Sequence, residues 1–325
     1  MVITRLSRKQ LAVNNGPRVR IPPTPPIFKK GENMENKTKL KLILFSDIHY
    51  LDKRPEKIDW VLKRKLTQYA DVLVDNLIDK INNELKPNIS ICLGDLIEDQ
   101  FNYDQDLNNY KYIWNKLKRI KTPFYSVIGN HDLRTIDSRE TLESIMEYPN
   151  ATFSFDLEGY HFIILSTDII KNVNIDDSIL NKFKNISKEE IYGLYKSQCI
   201  SEKEIKWLKE DLNKNKLPCL IFTHFGLAED KQTGNYWFEI EPEAGLLGNR
   251  KIIKDIIKKD KNVMAVFSAH QHWTKKINED GKDYYVLGSL TEDINDDGIP
   301  DGVYFEVNLE DRNIEIKEHH LIIKK

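Results

Sequence analysis

Cysteine is scarce in this chain: three residues in 325 (Cys92, Cys199 and Cys219), far apart and in no Cys-x-x-Cys pair. That excludes a disulfide framework and a thiolate zinc knuckle, and fits reduced thiols in a cytoplasmic protein. No run of about 18 or more apolar residues occurs, which excludes a membrane-spanning helix. An excess of positive charge is missing too: 49 Lys and Arg stand against 51 Asp and Glu, a formal charge of -2. A general nucleic-acid binder carries a basic footprint, so that class is set aside. With 40% hydrophobic residues the chain is too apolar to be disordered throughout. Its length suits two average domains or one large α/β fold.

The first 33 residues stand apart from the rest. They hold Arg5, Arg8, Lys9, Arg18, Arg20, Lys29 and Lys30 against one acid, Glu32, and five of the twelve prolines. Setting that +6 aside leaves -8 for residues 34–325. The run Arg18-Val19-Arg20-Ile21-Pro22-Pro23, with Pro25-Pro26, back-translates into the T-loop and 3′ end of a transfer-RNA gene. The expectation is a disordered basic head of non-native origin, with Met34 as the initiator. A basic arm or targeting peptide is the alternative, although a secretory signal's apolar core is absent. Removing residues 1–33 is expected to leave specific activity unchanged.

From Lys41 onward, short apolar strands end in polar clusters. Leu42–Phe45 runs into Asp47 and His49, Ile89–Leu93 into Gly94-Asp95, and Phe124–Ile128 into Gly129-Asn130-His131-Asp132. Leu220–Phe222 runs into His224, and Val263–Phe267 into His270-Gln271-His272. Continuous apolar runs of this length predict strands buried on both faces. Helical spacing covers 58–85, 105–119 and 250–259, and the capping boxes Ser187-x-x-Glu190 and Ser201-x-x-Glu204 open two more helices. Phe153–Leu157 with His161–Ser166, and Tyr284–Leu287 with Val303–Val307, are expected to pair as hairpins. The fold class is therefore α/β, two packed mixed β-sheets flanked by helices. Residues 34–325 are expected to form one domain, with specificity loops at about 168–200 and 225–248.

Loops after the carboxyl ends of strands are where α/β sheets build sites. Collecting them gives Asp47, His49, Asp95, Asn130, His131, His224, His270 and His272. Mixed imidazole and carboxylate donors suit manganese, iron or zinc. There are too many for one tetrahedral ion, but they fit two divalent metal ions sharing a carboxylate.

The ordered set Asp47-x-His49, Gly94-Asp95-x-x-Glu98, Gly129-Asn130-His131-Asp132, His224 and His270-x-His272 resembles the calcineurin-like metallophosphoesterase superfamily. The resemblance spans about residues 41–310. Two departures are visible: Glu98 stands where the family has Asp, and Ala269 where it has Gly. The resemblance implies that Asp47, His49 and His272 hold one metal with Asp95, and that Asn130, His224 and His270 hold the second with the bridging Asp95. It implies that His131 sits over the phosphoryl group, with Asp132 or Glu98 orienting it. Hydrolysis would proceed by in-line attack of a bridging hydroxide.

Within the superfamily, the chain is similar to the manganese-dependent ADP-ribose/CDP-alcohol diphosphatase group. That similarity rests on the helix carrying Arg64, Lys65 and Tyr69, on Trp207-Leu208 and on Asn249-Arg250. It implies a small nucleotide-derived substrate cleaved at its pyrophosphate. A phosphomonoesterase or cyclic-nucleotide phosphodiesterase is the alternative, and a non-catalytic scaffold the alternative of another class. Arg134, and Arg64 or Lys65, are candidate phosphate partners, because guanidinium forks match phosphate oxygens. Tyr236-Trp237-Phe238 are candidates either to stack a base or to anchor the loop. Asp293-x-Asn295-x-Asp297-Gly298 reads as a calcium loop or an acidic turn. The turn is favoured, because position twelve is Tyr304 rather than Glu. His161 reads as an ordinary strand residue, and His319-His320 as part of an edge strand or frayed end.

Overall fold

A computed structural model describes residues 39–56, 59–168 and 198–323. The basic head, the Ser187 capping box and most of the 168–200 loop lie outside the described residues. Among the described residues the chain runs β1 (Lys39–Phe45), α1 (Trp60–Arg64), α2 (Ala70–Lys80), β2 (Ile89–Cys92), α3 (Tyr103–Leu117), β3 (Phe124–Ser126), α4 (Asn130–Arg134) and α5 (Arg139–Met146). It continues through β4 (Phe153–Leu157), β5 (Tyr160–Leu165), α6 (Glu202–Lys214), β6 (Cys219–Thr223), α7 (Arg250–Lys259), β7 (Val263–Ser268), β8 (Lys275–Glu279), β9 (Lys282–Val286), β10 (Val303–Glu310) and β11 (Asn313–His320).

The strands form two mixed sheets, in the orders β11-β10-β1-β2-β3 and β4-β5-β6-β7-β9-β8. Within them β1, β2 and β3 run parallel, as do β5, β6, β7 and β9. The period of two then divides the interior into layers. Leu42 and Leu44 of β1 point between the sheets, where they meet Phe162, Phe222, Phe267 and Phe305. Ile43 and Phe45 point outward and pack with Leu73 and Leu77 of α2 and Trp114 of α3. On the far side, Ile221 and Val266 pack with Leu208 and Leu212 of α6 and Ile253 and Ile257 of α7. β1, β2, β5, β6 and β7 are covered on both faces, which is why their apolar runs are continuous. Burying each Leu or Phe contributes about 1.5–3 kcal/mol.

Helix α6 opens on the expected capping box: Ser201 Oγ accepts from Glu204 N at 3.3 Å, and Glu204 Oε2 accepts from Ser201 N. The helix expected over 58–85 is broken instead. Lys65 leaves helical geometry at ψ 100 and bridges Glu292, and Leu66 N donates to Thr291 O. A tertiary pairing here overrides helix propensity. The expected hairpin of Tyr284–Leu287 with Val303–Val307 is also corrected. β9 pairs with β7 and β8, whereas β10 crosses to the other sheet and pairs with β1 and β11. Both segments are apolar enough for either sheet, so periodicity alone could not assign a partner. β4 and β5 do form the expected antiparallel pair. His319 and His320 end the edge strand β11.

Candidate metal centre

Parallel strands deliver their carboxyl ends to one rim. Asp47 and His49 follow β1, Asp95 follows β2, and Asn130 and His131 open α4 just after β3. His224 follows β6, and His270 and His272 follow β7. The two sheets meet here: Asp47 Oδ2 accepts from His270 N at 3.4 Å, and Ser289 Oγ donates to Asp47 O. Five of these residues have left-handed backbone, with φ of 51 at Asp47, 48 at His49, 53 at Asp95, 67 at His270 and 60 at His272. Such strain gathers where the surrounding fold over-determines a functional geometry. Ala269, which replaces a family glycine, is not among the positive-φ residues, so its Cβ is unstrained. Gly129 is different, because a Cβ there would lie 2.2 Å from Asp95 Oδ1.

Acceptor atoms converge on the centre. His49 Nε2 and His272 Nε2 lie 3.0 Å apart, and His272 Nε2 is 3.4 Å from Asp47 Oδ1. His224 Nε2 lies 3.1 Å from Asn130 Oδ1 and 3.2 Å from Asp95 Oδ2. The other ring nitrogens face outward acceptors: Glu98 for His49 at 2.8 Å, Glu292 for His272 at 2.5 Å, and the Leu93 carbonyl for His224 at 2.7 Å. At His272 and His224 those partners fix the outer nitrogen as the N–H and turn the inner lone pair to the centre. Asp47 Oδ1 and Asp95 Oδ2 are buried without a hydrogen bond. Such orphaned acceptors call for a cation. The donors fall into groups Asp47-His49-His272, Asp95-His224-His270 and His49-Glu98-His131, each within 4.8 Å.

The titration of these groups gives the same answer. Burial lowers His224 and His272, but Asp95 beside the first, and Glu292 and Asp47 beside the second, outweigh it and bring both to about 9. Burial raises Asp47, yet His272 and His224 outweigh that and bring it to about 2. Burial and Lys65 push His49 down to about 4. The centre therefore draws positive charge, as protons or as metal ions.

His131 faces the adjoining cavity, and its orientation differs from expectation. Asp132 does not hold the ring. Its oxygens accept from the backbone N–H groups of Asp95, Leu96 and Gly129 at 2.8–3.1 Å, which locks the second and third strand ends together. Burial and Asp95 raise that carboxyl to about 7. The ring's partner is Asp99, whose Oδ1 lies 2.5 Å from His131 Nδ1, while Glu98 is 3.6 Å away and sits closer to His49. The adjacent acids Glu98-Asp99 were the sequence signal, because an extra carboxylate follows the motif position.

A cavity of about 550 Å³ opens over the centre, lined by Lys65, His131, Arg134, Trp237, Phe238 and Phe101 among others. Arg134 donates to Asp99 Oδ1 at 2.9 Å. Arg64 and Tyr236 do not line this cavity. Arg64 donates to Asp293 O at 3.1 Å and lies 4.7 Å over the Tyr236 ring, and Tyr236 donates its hydroxyl to Glu292. Both anchor the loop that carries Glu292, a residue no motif flags. Asp293 accepts from Asp297 N and Gly298 N at 3.0 and 2.8 Å, which closes the acidic turn on itself. His161 is held by Asp156 and Asp211, away from the centre.

Residues 40–274 match the calcineurin-like phosphoesterase model. The chain belongs to the calcineurin-like phosphoesterase family. It is thereby a hydrolase acting on phosphoesters, in a family that uses a dinuclear divalent metal site. This phosphoesterase is 24% identical over 235 residues to a probable cyclic nucleotide phosphodiesterase of Xenorhabdus bovienii, covering 72% of this chain and 78% of that one. It is 26% identical over 200 residues to a probable glycerophosphodiester phosphodiesterase of Arcobacter nitrofigilis, covering 61% of each. Among solved structures, a dimetal phosphatase from Danio rerio superposes with a TM-score of 0.64 at 14% identity, covering 87% of this chain and 99% of that one. A purple acid phosphatase from yellow lupin gives 0.55 at 11% identity, covering 87% and 52%. These superpositions bear on the fold. No described helix is long and apolar enough to cross a membrane.

Proposed function

We propose that the phosphoesterase hydrolyses a small phosphodiester or a nucleoside-diphosphate ester. Two divalent metal ions would be held by Asp47, His49 and His272 on one side and by Asn130, His224 and His270 on the other, with Asp95 shared. The observation that carries this is the pair of orphaned oxygens, Asp47 Oδ1 and Asp95 Oδ2, facing only inward acceptors. Asp95 Oδ1 already accepts from His131 N at 2.9 Å, while Oδ2 is left without a hydrogen bond. When bound, such a metal pair supplies Lewis acidity and an activated water.

The rest falls to the chain's own side chains. Asp99 fixes the His131 tautomer with the proton on Nδ1, so Nε2 faces the cavity. Arg134, itself held by Asp99, stands beside it as a guanidinium for the phosphoryl oxygens. Trp237 and Phe238 form an apolar wall for the organic part of the substrate, and about 550 Å³ accommodates an ester group beyond the phosphate. The diester class is supported by the two relatives named as phosphodiesterases.

The test is a panel of ADP-ribose, CDP-choline, cyclic nucleotides, glycerophosphodiesters and simple monoesters, run with Mn²⁺, Zn²⁺ or Fe²⁺ and after chelation. Metal-dependent turnover of diesters or diphosphates above monoesters is expected. Monoester preference would overturn the substrate class, and absence of turnover with metals bound would favour a scaffold.

A further inference from the structure

Lys65 is charged in type yet only 5% exposed, and it ends inside the proposed site. Its backbone is pinned where α1 breaks, bridged to Glu292 on the same loop that holds His272. Its Nζ donates to Glu98 Oε2 at 2.9 Å and lies 3.1 Å from His131 Nε2. An ammonium has three N–H donors, and these two partners take two. Lys65 also lines the cavity. Burying a lysine is costly, and Glu98 alone offsets it only in part, because that carboxylate is shared with His49. An anion entering the cavity completes the balance.

We propose that Lys65 is a catalytic residue of this phosphoesterase, its third N–H facing the oxygen that leaves phosphorus. This rests on the reaction proposed above. Hydrolysis adds water across the P–O bond: the water oxygen becomes bonded to phosphorus, and the leaving oxygen departs with the electron pair. That oxygen ends protonated, with the proton that the water gives up. Lys65 stabilises its charge while it develops, and His131, whose Nδ1 is held by Asp99, keeps the ammonium in place through Nε2. Donors aimed at developing charge act strongest in a site closed to water.

The experiment compares wild type, Lys65→Met, Lys65→Arg and Lys65→Cys on aryl methyl phosphodiesters of graded leaving-group basicity, with bound metal measured by mass spectrometry and folding by thermal melts. Lys65→Met is expected to keep its metal and its melt. It is expected to lose roughly 10²-fold in kcat for the most basic leaving group and far less for p-nitrophenol. Aminoethylating Lys65→Cys with 2-bromoethylamine through the open cavity restores the ammonium, and identically treated wild type controls for the three buried native cysteines. Recovery of the basic leaving groups is expected on that treatment. Equal loss across the series, loss of metal, or no recovery in a folded, alkylated protein would overturn the role. A wild type inactive on every ester with metals bound would instead overturn the reaction itself, and the role of Lys65 with it.

Discussion

At the scale of single residues, the centre is a set of acceptors turned inward by outer partners, such as Glu292 on His272 and the Leu93 carbonyl on His224. Asp95 is the residue on which most depends, because its one uncommitted oxygen is shared in the proposed pair. Asp95→Ala is expected to abolish turnover and lower bound metal, read by esterase assay and mass spectrometry on the same sample. His131→Ala separates chemistry from binding. It should retain metal while slowing hydrolysis roughly 10²–10⁴-fold. Loss of metal from that variant would show that His131 is a ligand, a role its proximity to His49 and Glu98 also permits. The proposed ligands were readable in advance as a type: imidazoles and carboxylates at strand ends. Their supports were not. Glu292 belongs to no motif and reaches His272 only because the loop after β9 folds back over α1.

Among the elements, two buried locks outside the centre tie segments together. The loop over 225–248 is fastened by buried Arg250, which donates to Glu229 at 2.9 and 3.0 Å and to Glu243 at 2.7 Å. That loop supplies Trp237 and Phe238 to the cavity, and the Ala244 carbonyl lies 3.1 Å from His270 Nε2. Arg250→Met is expected to cost about 3 kcal/mol in denaturant unfolding, since buried Glu243 loses the guanidinium that bonds it. On the opposite side, His161 of β5 ties the β4 hairpin to α6 through Asp156 and Asp211, at 2.6 and 2.7 Å. Burial lowers its pKa, but the bonds to Asp211 and Asp156 outweigh it and raise it. A raised folded pKa means stability that is full below the unfolded value of about 6.5 and is lost as pH rises through the folded value. His161→Asn should therefore lower the melting temperature most in mild acid and least in alkaline buffer. A gap that widened with pH would refute this.

For the molecule as a whole, the centre is also a seam. Asp47, His49 and Asp95 belong to one sheet, and His224, His270 and His272 to the other. Metal ions held between them bind the folded state and not the separated sheets. Stability should then rise with metal concentration, by about 2.7 kcal/mol at one hundred times the dissociation constant. Differential melts with excess Mn²⁺ and after chelation measure it, and coincident melts would count against a site that spans the seam.

Local chemistry determined the strand ends, the capping box of α6 and the order of the five motifs, because each depends on residues a few positions apart. It determined the layering too, since apolar runs without alternation demand cover on both faces. What only the tertiary structure decided is everything that spans many positions: that β10 pairs with β1 and not with β9, that a helix breaks at Lys65 to meet Glu292, and that Asp99 holds His131 while Asp132 ties strand ends. Those choices compare long-range partners of similar local fitness, and only simultaneous packing of both sheets separates them.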